Sequence, residues 1–486
     1  MSDDGLLLKN TAFNVLAKGS ASAASLVISM YASRKIGVEG FGTAQYIVWL
    51  VSTLWMFLNF GLPITLVRYI AMRTADGKKE NAAGMIRWSL AFALIISAVS
   101  IFVFVFALNV PSAIWIETLL LFSFLSFNSV LQSVYEGLMR YRELFYASAV
   151  SVLCMLLAFY PLIRSFSLQG YIAVLVIGAA ANFLALLARL GKESFLPGRT
   201  LPRALFGKDV QRFALFSWLA AIISSFMWQR MELFFIKTYL TAADVAFFSV
   251  AVLLSAYVTQ PIALLSSALL PYFSRESAGP DNRSSQAIYW FLTKVFAWLT
   301  FFACFFTSVH SPMIVRLIYG GAYEPAQNVT AIILAGSSFG TIAAVGSALL
   351  YAKGRSRFIV ISGGVGAAMA ILVGIFIVPR FGILGAGIGR VVIQFFMICI
   401  GTYYIVVKLR FPFPFRSYFK TFGLTAGICV GLHLLLPDSS IVLFAINGIL
   451  ALLVYVACTY FFSIFDEEEL AGLKSVLLAP LLRAIR

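Results

Sequence analysis

The sequence predicts an all-α polytopic membrane protein with about 14 transmembrane helices, arranged as two pseudo-symmetric six-helix lobes and two further C-terminal helices. Hydrophobic residues make up 61% of the 486 residues and charged residues only 12%, which no water-soluble core could bury. The apolar runs are unbroken over about 20 residues, which favours helices over the alternating strands of a membrane barrel. Several landmarks recur later in the chain, and this recurrence predicts the two lobes.

The predicted spans, with boundaries good to about 2 to 4 residues, divide into domains at a long polar connection. We expect a first lobe over 1–190, a cytoplasmic linker over 191–212 that contains two prolines, and a second lobe over 213–410. Spans thirteen and fourteen occupy 411–463. The approximate spans are 11–33, 41–67, 83–108, 114–138, 144–163, 170–190, 213–236, 244–271, 287–310, 325–351, 358–378, 383–407, 419–436 and 441–463.

The net charge of +16 follows the membrane topology. Most lysines and arginines fall in alternate connections and in the two tails, for example at 68–79, 192–212, 353–357 and 408–420. This alternation is typical of the positive-inside rule and not of a phosphate-binding patch for nucleic acid. It predicts that both termini are cytoplasmic, which an even number of spans satisfies.

Matched segments support a repeat with an offset of about 205 to 216 residues. GVEGFGTAQYIVWL at 37–50 and TAADVAFFSVAVLL at 241–254 each enter a span that closes with proline and then arginine. The cytoplasmic turns LMRYRELFY and LYAKGRSRF also correspond, as do the outer turns RSFSLQG and RFGILG. Because each lobe has an even number of spans, the lobes are predicted to be related by a pseudo-two-fold axis along the membrane normal, with a cavity between them.

The C-terminal part lies outside this repeat. Spans thirteen and fourteen either have a structural role only or form a hydrophobic groove for a lipid tail. Beyond them, residues 464–486 begin with acids suited to a helix N-terminus and then place Leu473, Leu477 and Leu481 at helical spacing. This pattern predicts an amphipathic helix on the cytoplasmic face of the membrane.

Charged residues within the spans are the candidate functional residues. Each costs roughly 3 kcal/mol at the bilayer centre, so each is expected to face protein or water. Five cations and one acid predict a cationic cavity. The charged residues are Lys18 in span one, Arg87 in span three, Arg230 and Glu232 in span seven, Lys294 in span nine and Arg390 in span twelve.

The depth of each cation in the membrane helps to distinguish a substrate-binding role from a structural role such as snorkelling to the interface. Arg87 lies about one turn into its span and is expected to snorkel to the interface. Lys294 is about two turns deep, and both roles stay open for it. Lys18 and Arg390 are deeper. The predicted substrate-binding set consists of Lys18, Arg230, Lys294 and Arg390, because arginine forks and lysine charges together match a diphosphate headgroup.

Glu232 has two possible roles. It is either a counterion or a site for a coupling ion. Residues two apart on a helix point to different faces, so a pair with Arg230 would have to join different helices. Gln229 lies one turn back on the face of Glu232 and is expected to share its environment.

The cysteines and histidines predict no metal or cofactor site. The five cysteines are dispersed within apolar segments and have no disulfide or metal-binding spacing. His310 and His433 each lie near a predicted helix end, and the sequence offers neither a partner ligand.

Four segments together resemble a known family. SRKIGVEGFG at 33–42, LIYGGAYEPA at 317–326, LLYAKGRSRF at 349–358 and VPRFGILGAGIG at 378–389 are similar to landmarks of polysaccharide flippases. These belong to the multidrug/oligosaccharidyl-lipid/polysaccharide (MOP) exporter superfamily. The resemblance covers nearly the whole chain, and the span count resembles the O-antigen (Wzx-type) and lipid II flippase branches.

The resemblance implies a V-shaped transporter in the bacterial inner membrane. It implies that the substrate is an undecaprenyl-diphosphate-linked oligosaccharide, moved outward by alternating access. We also expect membrane lipids and polysaccharide assembly proteins such as a polymerase as partners. The driving force is H⁺, Na⁺ or removal of the product outside, and the sequence does not choose among them. Where many relatives carry Asp in span seven, this chain has Glu232 beside Arg230, which weakens any transfer of an ion-coupling role.

Two other function classes are less favoured. A drug or cation antiporter of the same superfamily needs acids in its cavity, whereas this cavity is predicted to be cationic. A membrane enzyme needs paired carboxylates or a His and Arg constellation in an outer loop, and the outer turns carry isolated acids only. These acids are Glu39, Glu117, Asp244, Glu324 and Asp438.

Overall fold

A computed structural model of the protein describes residues 3–75, 79–106, 114–191, 207–228, 231–266, 283–436 and 440–467, together with Leu269, Phe273 and Glu469. All regular structure within these residues is helical. The predicted all-α membrane fold class is therefore confirmed. The chain forms two compact units, Met1–Ser249 and Val250–Arg486.

The first unit consists of helices joined mostly by short turns. Its last helix, α9, begins in this unit and continues into the second. In chain order the helices are α1 (Asp3–Ile36), α2 (Val38–Leu58), α3 (Leu62–Ala75), α4 (Lys79–Phe106), α5 (Trp115–Gly137), α6 (Tyr141–Gly191), α7 (Lys208–Trp228), α8 (Glu232–Tyr239) and α9 (Ala242–Ser266).

The second unit adds helices of similar length. A 3₁₀ turn at Gly321–Ala326 precedes α12, and π-helical turns at Val373–Ile377 and Tyr404–Lys408 flank α14. The helices are α10 (Arg283–Val309), α11 (Ser311–Ile318), α12 (Gln327–Ala352), α13 (Ser356–Leu372), α14 (Val378–Tyr403), α15 (Phe415–Leu435) and α16 (Ile441–Phe461).

Eleven stretches of the described residues are long and apolar enough to cross a membrane. Two of them, Tyr141–Leu190 and Arg357–Lys408, are 50 and 52 residues long. A straight helix of that length measures about 75 Å, more than twice the bilayer core of about 30 Å. Each therefore has to contain a turn, and the count of about 14 spans stays a prediction.

The backbone breaks in both long stretches at the predicted outer turns. Ser167 in α6 has φ 47° and ψ −115°, and Gly382 in α14 has φ 60° and ψ −148°. These nearly equal, non-helical conformations lie in the matched segments RSFSLQG and RFGILG. The two segments thus share local backbone structure as well as sequence pattern.

The predicted cytoplasmic turns also share their backbone. Met139 and Gly354 both adopt a left-handed conformation, with φ of 58° and 67°. In each turn the following residue donates its N–H to the carbonyl five positions earlier, at 2.9 Å in both cases. These bonds close the C-terminal ends of α5 and α12 in the same way.

The predicted span at 41–67 is interrupted between α2 and α3. Phe60 and Gly61 have positive φ angles of 47° and 74°, and Asn59 Oδ1 accepts the Gly61 N–H at 2.8 Å. Pro63 lies in the first turn of α3, where a missing N–H costs no helical hydrogen bond. The indole N–H of Trp218 donates to carbonyl groups at the end of α2 at 3.1 and 3.2 Å, so α7 covers the break.

Aromatic and polar side chains join the helices within each unit. In the first unit, the Tyr135 hydroxyl donates to the Leu186 carbonyl at 2.9 Å, and Asn128 Nδ2 donates to the Ala179 carbonyl at 2.7 Å, so α5 is bonded to α6. In the second unit, buried Phe301 of α10 packs against Phe339 of α12 and Tyr418 of α15. Each unit therefore has its own core.

Several predictions fall on residues outside the described ranges. They include most of the linker at 191–212, Gln229 and Arg230, and most of the amphipathic helix predicted over 464–486. The predicted domain boundaries accordingly stay predictions.

Candidate transport site

Arg390 lies inside a membrane span of the second unit. It follows the Gly382 break by eight residues, which is about 12 Å along α14. Its side chain is buried, with 8% of its surface exposed, and Gln394 one turn later is also buried. A guanidinium at this depth in an apolar helix requires polar surroundings, because lipid cannot solvate it. This residue is the strongest candidate for binding an anion.

Glycines beside Arg390 bring neighbouring helix segments close to α14. A Cβ on Gly387 would lie 2.8 Å from Val329 Cγ2 of α12, and one on Gly389 would overlap Val373 in the preceding π turn. On α12, a Cβ on Gly336 would overlap Val391. Small residues allow such close helix packing in membranes. The packing fixes the rotation of α14 and therefore the direction in which Arg390 points.

Lys18 and Arg87 occupy more accessible positions in the first unit. Lys18 is exposed and lies three residues after the start of the candidate span Val15–Ile36. It interacts electrostatically with Glu136 near the end of α5, a partner that the sequence did not indicate. Arg87 is half-buried and lies four residues into the span Ala83–Ser100, near the membrane edge at which snorkelling is possible.

Lys294 is buried and bears an ion pair. Its Nζ lies 2.8 and 3.0 Å from the two carboxylate oxygens of Glu469 and 4.0 Å from Asp466 Oδ2. The ammonium also lies 5.5 Å from the centre of the Trp290 ring. The sequence left open whether Lys294 binds substrate or has a structural role. The structure shows a carboxylate partner for it, Glu469, which lies 175 residues later in the chain.

Glu232 is the first residue of α8 and is buried, with 8% of its surface exposed. An acid in the first helical turn is stabilised by the helix dipole. The proposed partner Arg230 and the neighbouring Gln229 lie outside the described residues. The choice between a counterion and an ion-coupling role for Glu232 therefore stays open.

A continuous seam joins α10 to α16 and explains where Lys294 points. On one face of α10, residues four apart contact α16: Trp298 stacks on Tyr455 at 5.5 Å, and Phe302 stacks on Tyr455 at 4.8 Å. The Trp298 indole donates to Thr459 Oγ1 at 2.8 Å. Lys294 lies on the same face, one turn before Trp298. Its charge therefore points along the seam toward the C-terminal residues.

At the other end of this seam the two histidines meet. The His310 and His433 rings lie 5.1 Å apart and nearly perpendicular, and Phe306 and Phe444 pack against His310 at 4.4 and 5.6 Å. His310 is fully buried. No group of three or more metal-binding side chains occurs in the part of the chain that the structure describes. His310, which directly follows α10, and His433 of α15 contact each other through their rings.

An apolar pocket of about 440 Å³ lies between α12, α14 and α15. Its walls are almost entirely aromatic and aliphatic, and α15 is one of the two helices outside the predicted repeat. The lining includes Phe339, Phe395, Ile398, Phe413, Phe419 and Phe422. Such a surface suits a hydrocarbon chain rather than a polar ligand.

Solved transporter structures share this fold. The structure of the lipid II flippase MurJ in an inward closed conformation matches with a TM-score of 0.75 and 14% identity, over 93% of this chain and 98% of that chain. An inward-facing multidrug resistance MATE family transporter of the MOP superfamily gives 0.68 and 15%, over 80% and 94%. A MOP superfamily transporter from Pyrococcus furiosus, described as having a binding pocket of reverse polarity, gives 0.57 and 14%, over 82% and 95%.

Sequence comparison gives the family. A search of curated proteins finds no match. The sequence profile for the family described as polysaccharide biosynthesis protein matches residues 7–277, more than half of the 486-residue chain. With eleven described stretches that are apolar and long enough to cross a membrane, this is a multi-pass membrane protein that belongs to the polysaccharide biosynthesis protein family.

Proposed function

We propose that the protein is a flippase that moves an undecaprenyl-diphosphate-linked oligosaccharide from the cytoplasmic to the outer leaflet of the bacterial inner membrane. The observation that carries this proposal is Arg390, a guanidinium buried within an apolar span. A guanidinium at this depth attracts anionic groups strongly, because the surrounding apolar medium screens its charge poorly. A diphosphate offers several oxygens in the geometry that guanidinium groups bind best.

The other cations extend the headgroup site. In this proposal Lys18, Arg230, Lys294 and Arg390 bind the diphosphate during the transport cycle. Among the three cations of this set that the structure describes, Lys18 is exposed. The membership of the family, with its link to polysaccharide biosynthesis, supports a lipid-linked sugar as the substrate.

The lipid part of the substrate is the second supporting argument. A polyprenyl chain requires an apolar path, and the aromatic pocket beside α15 has the volume and lining for a segment of such a chain. We propose that the tail stays in contact with this surface or with bulk lipid, while the headgroup moves by alternating access. H⁺ or Na⁺ is the proposed coupling ion, and assembly proteins such as a polysaccharide polymerase are proposed partners.

In this proposal the protein performs transport and no catalysis. The distribution of lysines and arginines supports a cytoplasmic position for both termini. Among the described residues, the cations Lys18, Lys294 and Arg390 and the apolar pocket beside α15 support the binding and release of an anionic lipid.

A cation-coupled multidrug antiporter is the second candidate. The buried carboxylate of Glu232 favours it, because a buried acid can exchange a proton or Na⁺ for a cationic drug. The fold shared with a MATE family transporter is compatible with this function. The two candidates differ in the charge of the substrate, which a binding experiment can test.

Binding to the detergent-purified protein separates the two candidates. We expect undecaprenyl diphosphate to raise the unfolding temperature, since a ligand at about 100 times its Kd stabilises the folded state by about 2.7 kcal/mol. Undecaprenol, which has the same tail without the diphosphate, serves as the matched control and should stabilise less. Stabilisation by ethidium instead, with no response to undecaprenyl diphosphate, would replace the flippase with the antiporter.

A further inference from the structure

The residues that follow the last membrane span dock onto α10. We call residues 464–467 together with Glu469 the acidic segment. Ile464 and Phe465 are buried, and the Phe465 ring lies 6.5 Å from Phe291 and 6.2 Å from Trp298 of α10. Apolar contacts therefore fix the beginning of this segment independently of its charges.

Within the segment, the carboxylate of Glu469 is held in place by two kinds of donor. The Asp466 N–H donates to Glu469 Oε2 at 2.9 Å, in the arrangement by which an acid caps the start of a helix. Both oxygens of the same carboxylate accept from Lys294 Nζ, at 2.8 and 3.0 Å. Glu469 thus joins the C-terminal segment to a buried cation in α10.

The carboxylates that contact the Lys294 ammonium are partly exposed to solvent. The Lys294 side chain is 4% exposed, but Asp466 beside it is 78% exposed and Glu469 is 15% exposed. The ammonium also lies 5.5 Å from the centre of the Trp290 ring. If Glu469 moved away, Lys294 would present a cation over an aromatic ring, at a site that an anion can reach from solvent.

A phosphate group would fit the position of the Glu469 carboxylate. Both present anionic oxygens at hydrogen-bonding distance from an ammonium, and lysine binds phosphate as a point charge. A diphosphate carries more negative charge than one carboxylate, so it can compete with a residue that is tethered by the chain. A buried ion pair adds little net stability to the folded state. Replacing Glu469 at Lys294 by another anion is therefore expected to cost little free energy.

We infer that Lys294 and Trp290 form an anion site in which Glu469 is the resident ligand, and that the acidic segment regulates transport by competing there with the substrate's phosphate groups. This inference rests on the proposed function for the identity of the substrate. Substrate loading releases Glu469 from Lys294, and unloading allows the carboxylate to return. The acidic segment is therefore a competitive inhibitor built into the chain.

The test uses the detergent-purified full-length protein and inorganic pyrophosphate as the probe. We expect Glu469→Gln to bind pyrophosphate at least about tenfold more tightly than the wild type, because the resident charge is removed. Glu467→Gln, an exposed acid in the same segment, is the matched control and should behave like the wild type. Lys294→Gln should lose this binding.

A charge swap guards against variants that fail to fold. Lys294→Glu combined with Glu469→Lys preserves an ion pair and should unfold within about 2 °C of the wild type, yet it should not bind pyrophosphate at this site. Equal or weaker binding by Glu469→Gln, or unchanged binding by the folded swap, would overturn the inference.

Pyrophosphate binding requires no lipid transport. Tighter binding without flipping therefore refutes the proposed function alone, and flipping without this pattern refutes the inference alone.

Discussion

Reversing the charge of Arg390 is expected to abolish transport while membrane insertion stays intact. In a cell that depends on this protein for its surface polysaccharide, Arg390→Glu should reduce the polysaccharide at least about 30-fold. That figure corresponds to roughly 2 kcal/mol, the lower end of the loss when one partner of a buried charge pair is removed. The reason is that a carboxylate at this depth repels a diphosphate that the guanidinium attracts.

The same substitution should leave the amount of inserted protein nearly unchanged. Acids and bases have similar insertion costs of about 2.5 to 3.5 kcal/mol at the centre of a membrane helix, so exchanging one for the other changes little. Arg380→Glu is the matched control, because it makes the same charge change at an exposed residue of the same helix. Near-normal polysaccharide in cells that carry Arg390→Glu would contradict the assignment of Arg390 to the substrate site.

The largest effect on stability is expected at Gly42. This glycine of α2 lies against the start of α9, where a Cβ would overlap the Ala242 carbonyl oxygen and lie 3.1 Å from the Ala246 nitrogen. The obstacle is backbone, which cannot rotate away as a side chain can. Gly42→Ala is therefore expected to lower the free energy of unfolding by about 1 to 3 kcal/mol, and Gly42→Leu by more.

A second glycine provides a control of opposite sign. Gly427 lies in α15, and a Cβ there meets nothing within 4 Å. Gly427→Ala should keep or raise stability, because alanine is favoured over glycine in a helix by about 1 kcal/mol. Thermal unfolding of the two alanine variants in the same detergent tests the difference. Equal unfolding temperatures would show that α2 and α9 are not in the close contact described.

The fold class and the repeated turns could be predicted from sequence for a simple physical reason. Bilayer thickness sets the length of an apolar run, so hydropathy alone places α10, α12, α15 and α16 within a few residues of the predicted spans. The turns around Ser167 and Gly382 could be predicted because polar residues and glycine interrupt long apolar stretches at the same spacing in both halves.

The break between α2 and α3 shows where this reasoning fails. Phe60 is a bulky residue with a positive φ, and nothing in its own chemistry predicts that conformation. The signals that could have indicated the break are Asn59 and Gly61 followed closely by Pro63, which are turn-forming residues within one predicted span. Tertiary contacts from Trp218, far along the chain, complete the break and cannot be deduced locally.

The environment of the candidate site could be predicted only in part. Arg390 could be found because its charge lies in an apolar span, and its burial agrees with that expectation. The partner of Lys294 could not be found, because Glu469 lies 175 residues later in a segment that hydropathy assigns to the membrane surface. The contact between His310 and His433 likewise depends on how α10 and α15 pack. Periodicity gives the face of a helix and not the identity of its neighbour.

The most direct test of the central claim is flipping of a lipid-linked oligosaccharide by the purified protein in liposomes. The wild type should move an undecaprenyl-diphosphate-linked oligosaccharide between leaflets, and Arg390→Glu should not. This pair of results would establish both the class of substrate and the role of the buried cation. Failure of the wild type to move diphosphate-linked sugars, combined with uptake of small organic cations, would contradict the proposal. The protein would then be assigned as an antiporter, with Glu232 as its candidate ion-coupling residue.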